Sequence, residues 1–168
     1  MKAPAYLTFW RPLAAMALIA SLAACAGYAP SQDLLGADKA RLTQTMGQPT
    51  LVLAREGGER LVYARGPQGF HTYFVDLDAQ GRVVRWEQRL TDPVFNQITP
   101  GMSAREVVAL IGPSFEVSRL SRERGQVWSY RYDNTFCLWF QVELAQDGTV
   151  RSTGRQIRPE CDGQVSYL

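Results

Sequence analysis

One histidine and three cysteines occur among the 168 residues, so the side chains that could react can be weighed one at a time. His71 stands beside Phe70 and near Tyr73, at the start of a strand-like run. Nucleophilic catalysis would pair it with an activated serine or cysteine and a third, orienting group. No such motif accompanies it, and it reads as an edge-strand histidine at the mouth of a loop. A closed tetrahedral zinc site needs four nitrogen or sulfur ligands; one histidine and three cysteines fall short once Cys25 has a separate chemistry. Glu56/Glu59 and Asp76/Asp78 are spaced as an acid and a base that could cooperate. They fall in a glycine-rich loop and a turn, where solvated charge is the ordinary expectation. Gly57-Gly58 and Gly66-Pro67-Gln68-Gly69 are turn signals, not a phosphate-binding loop. The expectation is a chain with no catalytic residue, no metal ligand set, no cofactor and no small-molecule substrate.

Cys25 is the thiol with a defined chemistry. Lys2 and Arg11 make a basic start, and Leu13 to Ala24 carries no charge. That run has the length of a signal-peptide core and is too short to span a bilayer comfortably. It ends in Leu22-Ala23-Ala24-Cys25, which resembles the lipobox of bacterial lipoproteins. Small residues there let a peptidase approach the backbone, and the cysteine thiol receives the diacylglycerol. Residues 1–24 are then a lipoprotein signal peptide, with Cys25 the lipidated N-terminus. The alternative is an ordinary cleaved signal in which Cys25 is incidental. The small, polar, proline-containing stretch that follows makes 25–33 a flexible tether. An aspartate after the anchor cysteine retains many lipoproteins in the inner membrane; Ala26 stands there instead and points to the outer one.

Lys2 and Arg11 leave with the signal, and the remainder is formally neutral, with 16 basic and 16 acidic residues. Neutrality gives no footprint for a nucleic acid. Lys39 is the one lysine left, the other cations being arginines suited to forked contacts with carboxylate or phosphate; compositional bias is the plainer explanation. Cys137 and Cys161 remain after Cys25 is assigned to lipid. An oxidising envelope favours a disulfide between them, the alternative being two separate buried thiols.

These residues need elements to hold them. Ser103 and Glu106 form a capping box, Val107, Leu110 and Ile111 make an apolar stripe, and Gly112-Pro113 ends the helix. The pattern occurs 65 positions earlier with Asp38, Leu42, Thr45, Met46, Gly47 and Pro49. Val62-Tyr63 then matches Val127-Trp128 at the same offset, and Tyr73, Val75 and Leu77 match Leu138, Phe140 and Val142. Gly81 and Val83 match Gly148 and Val150 at an offset of 67. Strands are expected over 61–64, 72–77 and 83–90, then over 127–132, 136–144 and 150–157. Asp78 to Gly81 and Asp147-Gly148 are hairpin turns, and Asp92-Pro93 closes the first unit. The expected fold class is α+β: two tandem units, 34–92 and 97–162, each a short helix packed on a three-stranded antiparallel meander. Units of this size are marginal alone, so a shared interface is expected.

Gly101-Met102-Ser103, Val107, Leu110 to Pro113, Trp128-Ser129-Tyr130 and the Phe140–Val150 hairpin resemble the SmpA/OmlA (BamE-like) lipoproteins. The lipobox fits the same family. The likeness covers most of the second unit and more weakly the first, where Gly36-Ala37-Asp38 and Tyr63 depart from the pattern. It implies a fold like the tandem units of β-lactamase inhibitor protein. It also implies a non-enzymatic role in outer-membrane β-barrel assembly or envelope integrity. The alternative on the same fold is a periplasmic enzyme inhibitor or ligand-binding lipoprotein.

A partner surface is expected on the sheets. Phe136, Leu138, Phe140, Val142 and Leu144 alternate onto one face, assigned to the helix-covered core. Trp139 then points the other way, as does Phe74 at the matching position in the first unit. These two aromatics either bury a join between the sheets or anchor a partner on an open face.

Overall fold

The computed structural model describes residues 29–66, 69–120 and 124–162. The signal segment and Cys25 lie outside the described residues. An α+β architecture is built from two four-stranded antiparallel sheets, each in sequential order. Helix α1 (Lys39–Met46) precedes β1 (Leu51–Arg55), β2 (Gly58–Ala64), β3 (Thr72–Asp78) and β4 (Val83–Gln88). A short turn of helix, α2 (Asp92–Phe95), and α3 (Ala104–Ile111) precede β5 (Glu116–Leu120), β6 (Gly125–Arg131), β7 (Leu138–Leu144) and β8 (Val150–Ile157).

Both helices are fixed at their ends by the residues expected to do so. Asp38 accepts a hydrogen bond from the Arg41 N–H at 2.8 Å. Ser103 accepts from the Glu106 N–H, while the Glu106 carboxylate accepts from the Ser103 N–H at 2.7 Å, completing the capping box. Each cap residue also bridges to the hairpin turn of its own sheet, Asp38 to Arg82 and Ser103 to Thr149. Register shifts fall at Asp76/Leu77 and again at Glu143/Leu144. The correspondence therefore extends to caps, bridges and bulges, none of which requires a particular side chain at every matched position.

The expectation of three strands per sheet is corrected to four. β1 pairs residue by residue with β2, and β5 with β6. Both are edge strands whose side chains are mostly half-buried or exposed. Neither Leu-Val-Leu-Ala-Arg nor Glu-Val-Ser-Arg-Leu alternates apolar and polar residue types along its length, because neither face is fully covered; backbone pairing holds the strands. A second difference lies at Asp92-Pro93. Proline sits in the first turn of α2, where its missing N–H costs nothing, so the pair opens a helical turn. Leu90, Val94, Phe95 and Ile98 consequently belong to the second core. Phe95 stacks on Phe140 with ring centres 4.0 Å apart and meets Tyr132 edge-on at 5.1 Å.

The first core gathers Leu34, Leu42, Met46, Leu61, Tyr63, Tyr73, Val75 and Leu77 between α1 and its sheet. The second places Val107 and Ile111 of α3 against Tyr130, Phe140, Val142 and Leu144. Strand β3 is buried on both faces over Thr72–Leu77. One face meets α1; the other meets the second unit.

Candidate functional site

That second contact is built around Phe74. Its ring is 1% exposed, flanked by the guanidinium groups of Arg60 at 5.0 Å and Arg89 at 5.4 Å. Arg89 Nε donates to the Leu110 carbonyl of α3 at 2.7 Å. Gly112, which ends α3, lies so close that an added Cβ would stand 2.8 Å from the Thr72 methyl and 3.3 Å from Val62. Tyr130 Oη donates to the Gly112 carbonyl from the second sheet, and burial pushes its hydroxyl pKa far above the usual phenol value. Phe74 thus lies inside the join and offers no face to a partner. The recess beside the join, lined in part by Thr72, Leu90, Ser114, Phe115 and Tyr130, has a cavity volume of about 20 Å³. That is room for roughly one water, far below a small-molecule site.

Trp139 is half-buried on the outer face of the second sheet, 5.9 Å beneath the Arg131 guanidinium. Its indole N–H and Arg131 Nε are both buried, with no hydrogen-bond partner among the described residues. Trp139 and Phe74 occupy matching positions but different surroundings: the one keeps unspent donors, the other is sealed.

The carboxylates divide sharply. Asp78 shapes its hairpin turn by accepting from the N–H groups of Gln80 and Arg82. Asp76, two residues away, is buried beneath three arginines. Arg60 grips it through Nε and Nη2 at 2.6 and 3.0 Å, and Arg55 and Arg85 reach it at 3.3 and 3.4 Å. Glu59 pairs with Lys39 at 2.7 Å. Asp76 and Asp78 have separate structural duties, and the expectation of solvated charge in a turn is corrected at Asp76, which is buried within β3. His71 stacks on Tyr73 with centres 5.6 Å apart.

Cys137 and Cys161 are joined by a disulfide, their Cα atoms 6.4 Å apart. Cys137 adopts a positive φ of 55°, and its carbonyl accepts from the Arg158 N–H at 2.9 Å. Phe136, expected in the core, is 74% exposed, which corrects the sequence reading. The alternation that places Leu138, Phe140, Val142 and Leu144 inward begins only at Leu138, where β7 starts. Upstream, the loop around Asn134 reverses the chain and turns Phe136 out. An Asn-Thr-Phe-Cys sequence ahead of a strand contains that signal, since asparagine readily braces a turn through its side chain.

No helix among the described residues is long and apolar enough to cross a membrane. No group of three or more His, Cys, Asp or Glu side chains among them is placed to hold a metal ion. No family model matches the chain, and no curated protein matches it. Two solved structures are similar. One is an extracellular protein containing an SCP domain from Bacillus anthracis str. Ames, with 13% identity, 79% of this chain and 47% of that chain covered, and a TM-score of 0.31. The chain thus spans about half the length of that protein. The other is a DUF4309 family protein (YjgB) from Bacillus subtilis subsp. subtilis str. 168, with 14% identity, 79% and 88% covered, and a TM-score of 0.30. Likenesses this faint carry no argument about function.

Proposed function

We propose that the chain is a lipoprotein of the cell outer membrane, held by lipid on Cys25 and facing the periplasm. It acts as a non-enzymatic protein-interaction module in outer-membrane β-barrel assembly or envelope integrity. The observation that carries this is the junction between the lipobox and the folded body. Pro30 is already buried, and Gln32–Leu34 forms a 3-10 turn that places Leu34 in the first core. This corrects the tether expected over 25–33: only the short stretch 25–29 separates the lipidated residue from the fold. A tether of that length reaches at most about 18 Å when extended, which keeps the body close to the membrane it hangs from. Matching caps, bridges and bulges support the tandem reading, one helix-and-sheet unit used twice. The usual SmpA/OmlA lipoprotein has a single such unit, and the second is where this chain departs from that likeness. Two sheets locked at a join give a rigid body whose remaining faces are free for a partner.

The test is Cys25→Ser in the full chain. Wild type is expected in the outer-membrane fraction with an N-terminal mass that includes the acyl chains, and the variant in the soluble periplasmic fraction. An intact, unacylated variant that still fractionates with the outer membrane would remove the anchor from the reading. In-cell crosslinking of the acylated wild type that brings down no envelope protein would remove the interaction role.

A further inference from the structure

We propose that Phe136 is the anchor by which this protein docks into an apolar pocket, rimmed by basic residues, on a partner protein. The proposal deepens the interaction-module reading and rests on it for the kind of partner. Phe136 is the most exposed large hydrophobic side chain among the described residues. Ile157, 40% exposed, pairs in register with Leu138, two residues beyond Phe136.

The loop that displays Phe136 is fixed from several sides. Asn134 Nδ2 donates to the carbonyls of Tyr132 and Leu138 at 2.9 and 3.0 Å. Asn134 Oδ1 accepts from the N–H groups of Phe136 and Leu138 at 3.1 and 2.9 Å. Both donors and the acceptor oxygen of this one amide are spent on the loop. The next residue, Cys137, is tied to Cys161 by the disulfide and to Arg158 through its carbonyl. A mobile loop would let its phenylalanine collapse onto the sheet and escape water. This one holds the ring outward, and an anchor ordered in advance loses little conformational freedom on binding.

Charge decides the occupant. Glu160 is paired with Arg131 at 2.7 Å and Arg158 at 3.9 Å. Asp133, in the same loop, and Asp162, next to Cys161, are exposed and have no ion-pair partner among the described residues. Arg131 and Arg158 against Asp133, Glu160 and Asp162 leave one net negative charge around the apolar tip, and the exposed members of the set are the carboxylates. An anionic bilayer surface would repel them, and so would the same loop of a second copy. A pocket edged with Lys or Arg would complement them.

The experiment places p-benzoylphenylalanine at position 136 of the full chain in cells, with the same photoreactive residue at exposed Val84 of β4 as control. Irradiation is expected to give one protein adduct from position 136, whose crosslinked peptide lines an apolar pocket flanked by Lys or Arg. With that partner purified, Phe136→Ser should bind about 30-fold more weakly at an unchanged melting temperature, and Asp133→Lys should weaken binding in a salt-dependent way. No adduct at 136, an adduct with lipid or with a second copy, or an adduct on a polar or acidic surface overturns the proposal. So does a Phe136→Ser variant that melts lower yet binds equally well. An adduct at Val84 without one at 136 sinks this surface and leaves the interaction module standing; none at either position sinks both.

Discussion

Asp76 concentrates more electrostatic consequence than any other side chain described. Its side chain is 3% exposed, and burial by itself would raise its pKa. Hydrogen bonds and charge from Arg60, followed by the charges of Arg55 and Arg85, more than offset this and hold the carboxyl below its ordinary value of 3.8. A folded-state pKa below the unfolded one contributes stability that is fully present above about pH 4–5 and is lost as pH falls through the folded value. Asp76→Asn keeps the shape but leaves three guanidinium groups facing a neutral amide. A loss of about 3 kcal/mol is expected at pH 7, read from urea unfolding, and the gap to wild type should narrow at pH 3. A gap of equal size at both pH values would mean that packing, not charge, is the cause.

Among the elements, the segment Pro159–Cys161 depends most on a single covalent link. The disulfide spans 24 residues, and closing a loop of that size stabilises a fold by about 3 kcal/mol. Cys161→Ser should lower the midpoint of denaturation accordingly and expose the 133–136 loop to limited proteolysis, mapped by mass spectrometry. Wild-type resistance in the variant would show that Asn134 alone holds the loop. The helices were legible in the sequence because their causes are local: a cap, a stripe and a terminating glycine within about a dozen residues. β1 and β5 were not, because an edge strand with little burial is specified by what it pairs with. Phe136 was misread for a related reason. Period-two alternation in the sequence continues upstream of the true start of β7, and the positive φ at Cys137 breaks the pleat there. Phe74 and Trp139 were correctly put on the outer faces, but which of them the other unit covers depends on tertiary contact that no local pattern encodes.

For the molecule as a whole, the join at Gly112 makes a matched pair of substitutions informative. Gly47 and Gly112 end equivalent helices at φ values of 81° and 82°. An added Cβ meets nothing within 4 Å at Gly47, whereas at Gly112 it meets Thr72 and Val62 of the other unit. Gly47→Ala should cost only the backbone strain of a positive φ with extended ψ, about 1–3 kcal/mol. Gly112→Ala should cost about 1–3 kcal/mol more and reduce amide protection in both sheets, measured by hydrogen exchange. Equal losses would mean that the units do not stabilise each other. The N-terminal edge has a different consequence. Gly36 N–H donates to Val83 O, Val83 N–H to Ala37 O, and Lys39 N–H to Gly81 O, at 2.8, 2.9 and 3.1 Å. These bonds clasp the incoming chain to the β4 hairpin just beyond buried Leu34. A pull on the chain upstream of Leu34 meets this clasp before it reaches α1, so the load is shared by three backbone bonds and a buried leucine. The first unit is thereby equipped to bear tension from that end, and its sheet is spared until the clasp gives way.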